Sequence, residues 1–200
     1  MNFLNDLILK FDKIRVLSGD CKLAFVDAVT ETVIPKDHYL LRPGEVCDKL
    51  SFVAWGMLRG FETVNGKEVT TRFASMEDIC IDPHSFYLQL PSSESITAVH
   101  QTTLFQLSFE QTQSMANEFL DFRIMMERIL WKDYLICDAN LKAVRCQSAK
   151  ERFASIGDAK WLKADAPFDT YLASYLGISQ QSMRKYKKQL LMPTKSRRTK

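Results

Sequence analysis

Two hundred residues, 46% apolar and 26% charged, suit one large or two small soluble globular domains with enough apolar material for a core. The five cysteines (21, 47, 80, 137 and 146) show no CxxC spacing and no ligand-spaced histidine neighbour, so neither a zinc nor an iron–sulfur site is readable. No apolar run approaches the ~18 residues of a membrane span, and MNFLNDLILKFDK is too charged for a signal peptide. Free thiols in a reducing cytoplasm follow as the expectation. The net charge of +3 hides an asymmetry: residues 170–200 hold eight of the 27 basic residues and none of the 24 acidic ones. A polyanion partner for that end of the chain is the physical implication.

Asn2 to Val16 carries Phe3, Leu4, Leu7, Ile8, Phe11 and Ile14 at helical spacing, and a second short helix is expected over Cys21–Ala28. From Glu31 to Ser108 the period becomes two. Short strands are predicted at Thr32-Val-Ile, Tyr39-Leu-Leu, Leu50-Ser-Phe-Val, Met57-Leu-Arg-Gly-Phe, Glu68 to Phe73, Ile96-Thr-Ala-Val and Leu104-Phe-Gln-Leu. Asn65-Gly66 is the strongest turn signal, because a type I′ hairpin needs two positive φ values. Close-set strands of this kind imply a sandwich, barrel or jelly roll. Pro83–Ser93 interrupts them as a short helix or loop. Ser108 with Gln111 reads as a capping box opening a helix to about Ala116.

Glu118–Val144 contains neither Gly nor Pro, which gives a helix of ~40 Å. Phe122, Met125, Ile129, Ile136, Ala139 and Ala143 form a heptad-like stripe, broken by Lys132. One face can take the β domain, and a second copy of the chain most simply covers the other. Ser148 caps a further helix over Lys150–Ile156, with a turn at Gly157-Asp158.

Asp169–Leu190 then reads as two helices broken at Gly177. Leu172 and Leu176 share one face of the first, Ile178 plugs the corner, and Ser179 caps the second. Met183, Tyr186 and Leu190 form the inward stripe of the second helix. Its opposite face carries Gln181, Lys185 and Lys188, flanked by Arg184 and Gln189. This is helix-turn-helix spacing, and a solvated basic hairpin is the plainer alternative.

Leu41-Arg-Pro-Gly-Glu-Val-Cys-Asp-Lys-Leu-Ser-Phe-Val-Ala-Trp-Gly-Met-Leu-Arg, Asn65-Gly-Lys-Glu-Val-Thr and Leu172-Ala-Ser-Tyr-Leu-Gly-Ile-Ser, in that order, resemble the Crp/Fnr family of bacterial transcription regulators. The resemblance implies an α+β chain in three parts. These are a β roll of the cyclic-nucleotide-binding type over 1–116, a long dimerisation helix over 117–146 and a helix-turn-helix domain over 147–200, with the usual wing in doubt. It implies a cytoplasmic, dimeric, sequence-specific regulator rather than an enzyme. Its partners would be double-stranded DNA, a second copy, RNA polymerase and an unidentified effector. Bases would be read by Gln180, Gln181 and Lys185, while Ser179, Ser182, Arg184 and Lys188 suit phosphate contacts.

One departure from the family pattern matters for the input. Cyclic-nucleotide binders of this family place an Arg where Glu94 stands here. An anion facing a phosphate at about 4 Å is repelled by about 4 kcal/mol, so tight cyclic AMP binding is not expected. A pocket altered around Asp82, Ser85, Glu94 and Ser95, taking some other small molecule, is the alternative reading. His38, His84 and His100 read as packed or surface residues, and no HxH cluster of a metal-binding β barrel is present. No cofactor or metal is expected.

Overall fold

The computed structural model describes residues 3–76, 78–155 and 166–191. It divides into two compact units, Met1–Leu135 and Ile136–Lys200. The division falls inside the long helix, which the sequence sets apart as 117–146.

In the first unit, α1 (Phe3–Ile14) and α2 (Gly19–Ala28) precede the strands. Helix α2 starts two residues before the expected Cys21, because Ser18 accepts a hydrogen bond from the Cys21 amide at 3.3 Å. One antiparallel sheet comprises β1 (Thr30–Ile34), β3 (Lys49–Trp55), β6 (Ile79–Cys80) and β8 (Thr102–Ser108), in the order β1-β8-β3-β6. The other comprises β2 (Tyr39–Leu41), β4 (Met57–Val64), β5 (Lys67–Ser75) and β7 (Ser95–Ala98), in the order β2-β7-β4-β5. Two residues of β6 are too short to show a period, and the sequence reading has no strand there. Asn65 (φ 51°) and Gly66 (φ 74°) join β4 to β5, as their dipeptide predicts.

The central strand β3 is buried on both faces. Leu50 pairs with Leu107 and Phe52 with Phe105, while between them Ser51 pairs with Gln106 and Val53 with Leu104. The alternation sends Leu50 and Phe52 to one face and Ser51 and Val53 to the other. Phe52 meets Phe11 of α1 and Phe25 of α2 edge-on, with ring centroids 5.2 and 5.9 Å away. The opposite face, with Ser51, Val53, Leu104 and Gln106, looks into the space between the sheets. Truncating Phe52 to alanine would cost about 3–5 kcal/mol, as for other fully buried aromatics.

Three helices complete the first unit. The first six residues of the interruption expected at Pro83–Ser93 form α3 (Pro83–Leu88). Helix α4 (Phe109–Glu118) opens on the expected capping box: Ser108 Oγ accepts from the Gln111 amide at 3.1 Å and Gln111 Oε1 from the Ser108 amide at 2.7 Å. After extended Phe119, α5 (Leu120–Cys146) begins, and Phe122, Met125 and Met126 bury into the same core as the helices and sheets.

In the second unit, α6 (Ala149–Ser155), α7 (Ala166–Leu176) and α8 (Gln180–Leu191) share a small core of Phe153, Phe168, Leu172, Ala173, Leu176 and Met183. Ser148 caps α6 as expected, accepting from the Glu151 amide at 3.3 Å. The expected turn at 157–158, the basic residues after 191 and any wing lie outside the described residues.

Candidate nucleic-acid interface and the interior of the β roll

The corner between α7 and α8 is fixed by its backbone. Gly177 adopts φ 63°, the left-handed conformation that costs a glycine little. The Gly177 amide donates to Ser174 O at 3.1 Å and the Ile178 amide to Ala173 O at 3.0 Å, the paired bonds of a Schellman ending. Two residues later, Ser179 Oγ accepts from the Ser182 amide at 3.1 Å and caps α8. Met183 is fully buried, and Tyr186 stacks on Phe153 at 5.6 Å. Those inward contacts turn the other face out: Gln181, Arg184, Lys185, Lys188 and Gln189 are all exposed.

Two residues of α8 have a local role as well. Gln180, expected to read bases, is exposed but donates from Nε2 to Thr170 Oγ1 of α7 at 3.1 Å. Lys187, which sequence reasoning left without a role, forms an ion pair with Asp169 of α7.

Along α5 the expected single stripe divides. Phe122 and Met125 are buried and Ile129 is half-buried, but Ile136 and Ala139 are exposed and Ala143 is only half-buried. A different row stands out to solvent: Leu130, Tyr134, Cys137, Leu141 and Val144, at alternating spacings of four and three. That is heptad spacing, on a row separate from the roll-facing one. The sequence reading follows one periodic row, whereas the helix has two apolar faces.

Inside the β roll, the four expected effector residues are engaged in the protein's own structure. Asp82 caps α3 through the His84 and Ser85 amides and accepts from Ser92 Oγ at 2.6 Å. Ser85 accepts from the Cys47 amide at 2.8 Å and donates to Leu90 O at 2.5 Å. Ser95 is buried in β7. Glu94 is buried too, with Oε2 at 3.1 Å from Arg72 Nη2 and Oε1 accepting from Thr71 Oγ1. The Arg72 contact is an ion pair without hydrogen-bond alignment, since Glu94 Oε2 has no hydrogen-bond partner. Arg72 also donates to Ile81 O at 2.6 Å.

Burial raises the Glu94 carboxyl above its ordinary value of 4.5, with Arg72 and Thr71 opposing. Gly60 makes the room: a Cβ there would stand 2.7 Å from Arg72 Cγ and 2.8 Å from Glu94 Oε1. Sequence reasoning sees Glu94 as an unanswered anion and misses Arg72. A glycine in mid-strand was the available signal of a close approach.

A cavity of about 370 Å³ does lie in the roll, lined by Thr32 and Ile34 of β1, the β2 residues, Ser51, Cys80, Ile96 and Gln106, with Glu45 to Lys49 at one side. None of Asp82, Ser85, Glu94 or Ser95 lines it. Among the described residues no cluster of His, Cys, Asp and Glu could hold a metal, and no helix is long and apolar enough to cross a membrane.

Residues 31–119 match the cyclic nucleotide-binding domain family. FixK2 from Bradyrhizobium japonicum has a similar structure, with TM-score 0.67, 14% identity and coverage of 81% of this chain and 84% of that one. The catabolite activator protein of Thermus thermophilus gives 0.55 and 19%, covering 87% and 84%. A transcriptional regulator assigned to the Crp/Fnr family from Eubacterium rectale gives 0.65 and 16%, covering 85% and 82%.

The fold of the chain is Crp/Fnr-like.

No curated protein sequence matches it. A Crp/Fnr-like fold accounts for the element order of this chain: a roll, one long helix, and a helical unit with a tight Gly177 corner.

Proposed function

We propose that this Crp/Fnr-like chain is a cytoplasmic, sequence-specific DNA-binding transcription regulator that works as a homodimer. The observation that carries the reading is the outward face of α8. A helix held by a Schellman corner, a serine cap and a buried Met183 presents two amides, Gln181 and Gln189, together with three cations, Arg184, Lys185 and Lys188. Amides and cations on one helix face suit base edges and phosphates of a major groove. The exposed heptad of α5 supports pairing with a second copy, which would place two such helices on a two-fold-related pair of half-sites. RNA polymerase is a further partner of this reading.

Cyclic AMP is not its ligand in this reading, because the position that would meet the phosphate holds a buried glutamate already paired with Arg72. Replacing Arg184, Lys185 and Lys188 together by alanine tests the reading. Retention of a duplex in a gel shift should be lost while the circular dichroism spectrum is unchanged. Unaltered retention would refute it.

A further inference from the structure

The interior of the roll is partitioned. The Arg72–Glu94 pair takes one side of Ile96, and the cavity of about 370 Å³ takes the other. That volume is at the lower end of small-molecule sites. Its walls are apolar where Ile34, Leu41 and Ile96 face it, but one wall is not.

Ser51 and Gln106 stand opposite each other on β3 and β8, 1% and 4% exposed. Gln106 Nε2 donates to Ser51 Oγ at 2.8 Å. That bond uses one of the amide hydrogens and a serine lone pair. The serine hydroxyl proton, the glutamine carbonyl and its second N–H find no other hydrogen bond among the described residues, and the carbonyl is not among the fully enclosed unpartnered atoms, as expected of a group that opens onto the cavity it lines. Buried polar groups left in this state favour a hydrogen-bonding occupant.

Charge narrows its chemistry. Glu45, Asp48 and Lys49 are the ionisable side chains at the rim, and they are exposed. Of the thiols, Cys80 and Cys47 line the cavity. Burial pushes the Cys80 thiol up to about 12 and the Cys47 thiol upward, so both are uncharged at neutral pH. No cation stands among the buried lining residues to receive a phosphate or carboxylate.

We infer that this cavity binds a small uncharged molecule with an apolar body and an amide or lactam edge, the edge accepting from the Ser51 hydroxyl and donating to the Gln106 carbonyl. An effector site is thereby placed away from Asp82 and Glu94, in a part of the roll that needs no anion-binding arginine. The inference does not depend on DNA binding.

Benzamide is a suitable probe, because its carboxamide has the required donor and acceptor and its ring fits the apolar walls. Benzoate is the control of the same shape that lacks the donor and carries a charge. Both are titrated into the full chain while side-chain amide resonances are followed by NMR. Benzamide is expected to shift the Gln106 amide signals with a low-millimolar or tighter dissociation constant, as a ligand of this size can reach. Benzoate should bind at least about tenfold more weakly, the loss expected when a charge is buried without a partner. Ser51→Ala should weaken benzamide by about fivefold or more, the worth of one hydrogen bond. Gln106→Leu should abolish binding if it folds, and the benzamide–benzoate contrast stands without any variant. Overturning results are unmoved Gln106 signals at saturating benzamide, equal affinity for benzoate, or shifts confined to residues around Arg72 and Glu94.

Discussion

Lys187 of α8 lies 2.8 Å from Asp169 of α7, each side chain about three-quarters or more buried. The pair ties the second helix of the motif to the first. It also separates Lys187 from the exposed cations Arg184, Lys185 and Lys188 on the same helix. Lys187→Ala should therefore destabilise the second unit by about 1 kcal/mol, the upper range for a partly exposed pair. Its effect on DNA should be a loss of affinity without a change in salt slope. Lys188→Ala should leave stability alone and lower the salt slope by about one per half-site. Urea denaturation and anisotropy titrations at several salt concentrations separate the two.

Gln181 stands exposed on the outward face, near the start of α8. Gln181→Ala should relax sequence preference at one base pair by about 1–3 kcal/mol and leave random-duplex binding unchanged. Equal loss on cognate and random duplexes would make Gln181 a phosphate contact instead.

The exposed heptad of α5 makes a prediction about thiols. Cys137 falls on the row of Leu130, Tyr134, Leu141 and Val144, whereas Cys146 falls off it, and both are exposed free cysteines. In a parallel pair of α5 helices the two copies of Cys137 face each other, close enough for a disulfide. Mild oxidation with diamide should give a covalent dimer on a non-reducing gel. Cys137→Ser should abolish it and Cys146→Ser should not. The reverse pattern would move the seam to another face of α5.

Glu94 predicts a pH dependence. Its carboxyl is raised in the folded state, chiefly by burial, with the charges of Asp82 and Glu62 adding and the charge of Arg72 and the hydrogen bond from Thr71 opposing. The native state therefore holds the proton more tightly than the unfolded chain, so the stabilising contribution is fully present below 4.5 and is lost as pH rises through the raised value. Glu94→Gln removes this term. Urea midpoints for the variant should fall less steeply than those of the parent above pH 4.5. Parallel profiles would show that Glu94 is not the titrating group.

The features legible in the sequence act over a few residues. The Ser108 box, the Asn65-Gly66 hairpin, the Gly177 corner and the Ser179 cap each depend on atoms within one turn, and each is found where its residues predict. The interior of the roll follows another rule. Gln106 and Ser51 are 55 positions apart, and only the pairing of β8 with β3 brings them together. Arg72 reaches Glu94 only because β4, with Gly60 in it, lies between β5 and β7. The charge of Glu94 can be read from the sequence, but its partner is set by the order of strands in the sheet. The second apolar row of α5 stayed hidden for a related reason, since periodicity cannot say which face a β roll covers.

A pair of α8 helices is proposed to bind DNA sequence-specifically. Selection of bound duplexes from a random pool, repeated at two salt concentrations, tests it most directly. A palindromic site is predicted, with half-sites one helical turn or about 34–36 Å apart and the same motif at both concentrations. A pool without a motif, retained at low salt and released at high salt, would contradict it and leave only a basic surface that binds any polyanion.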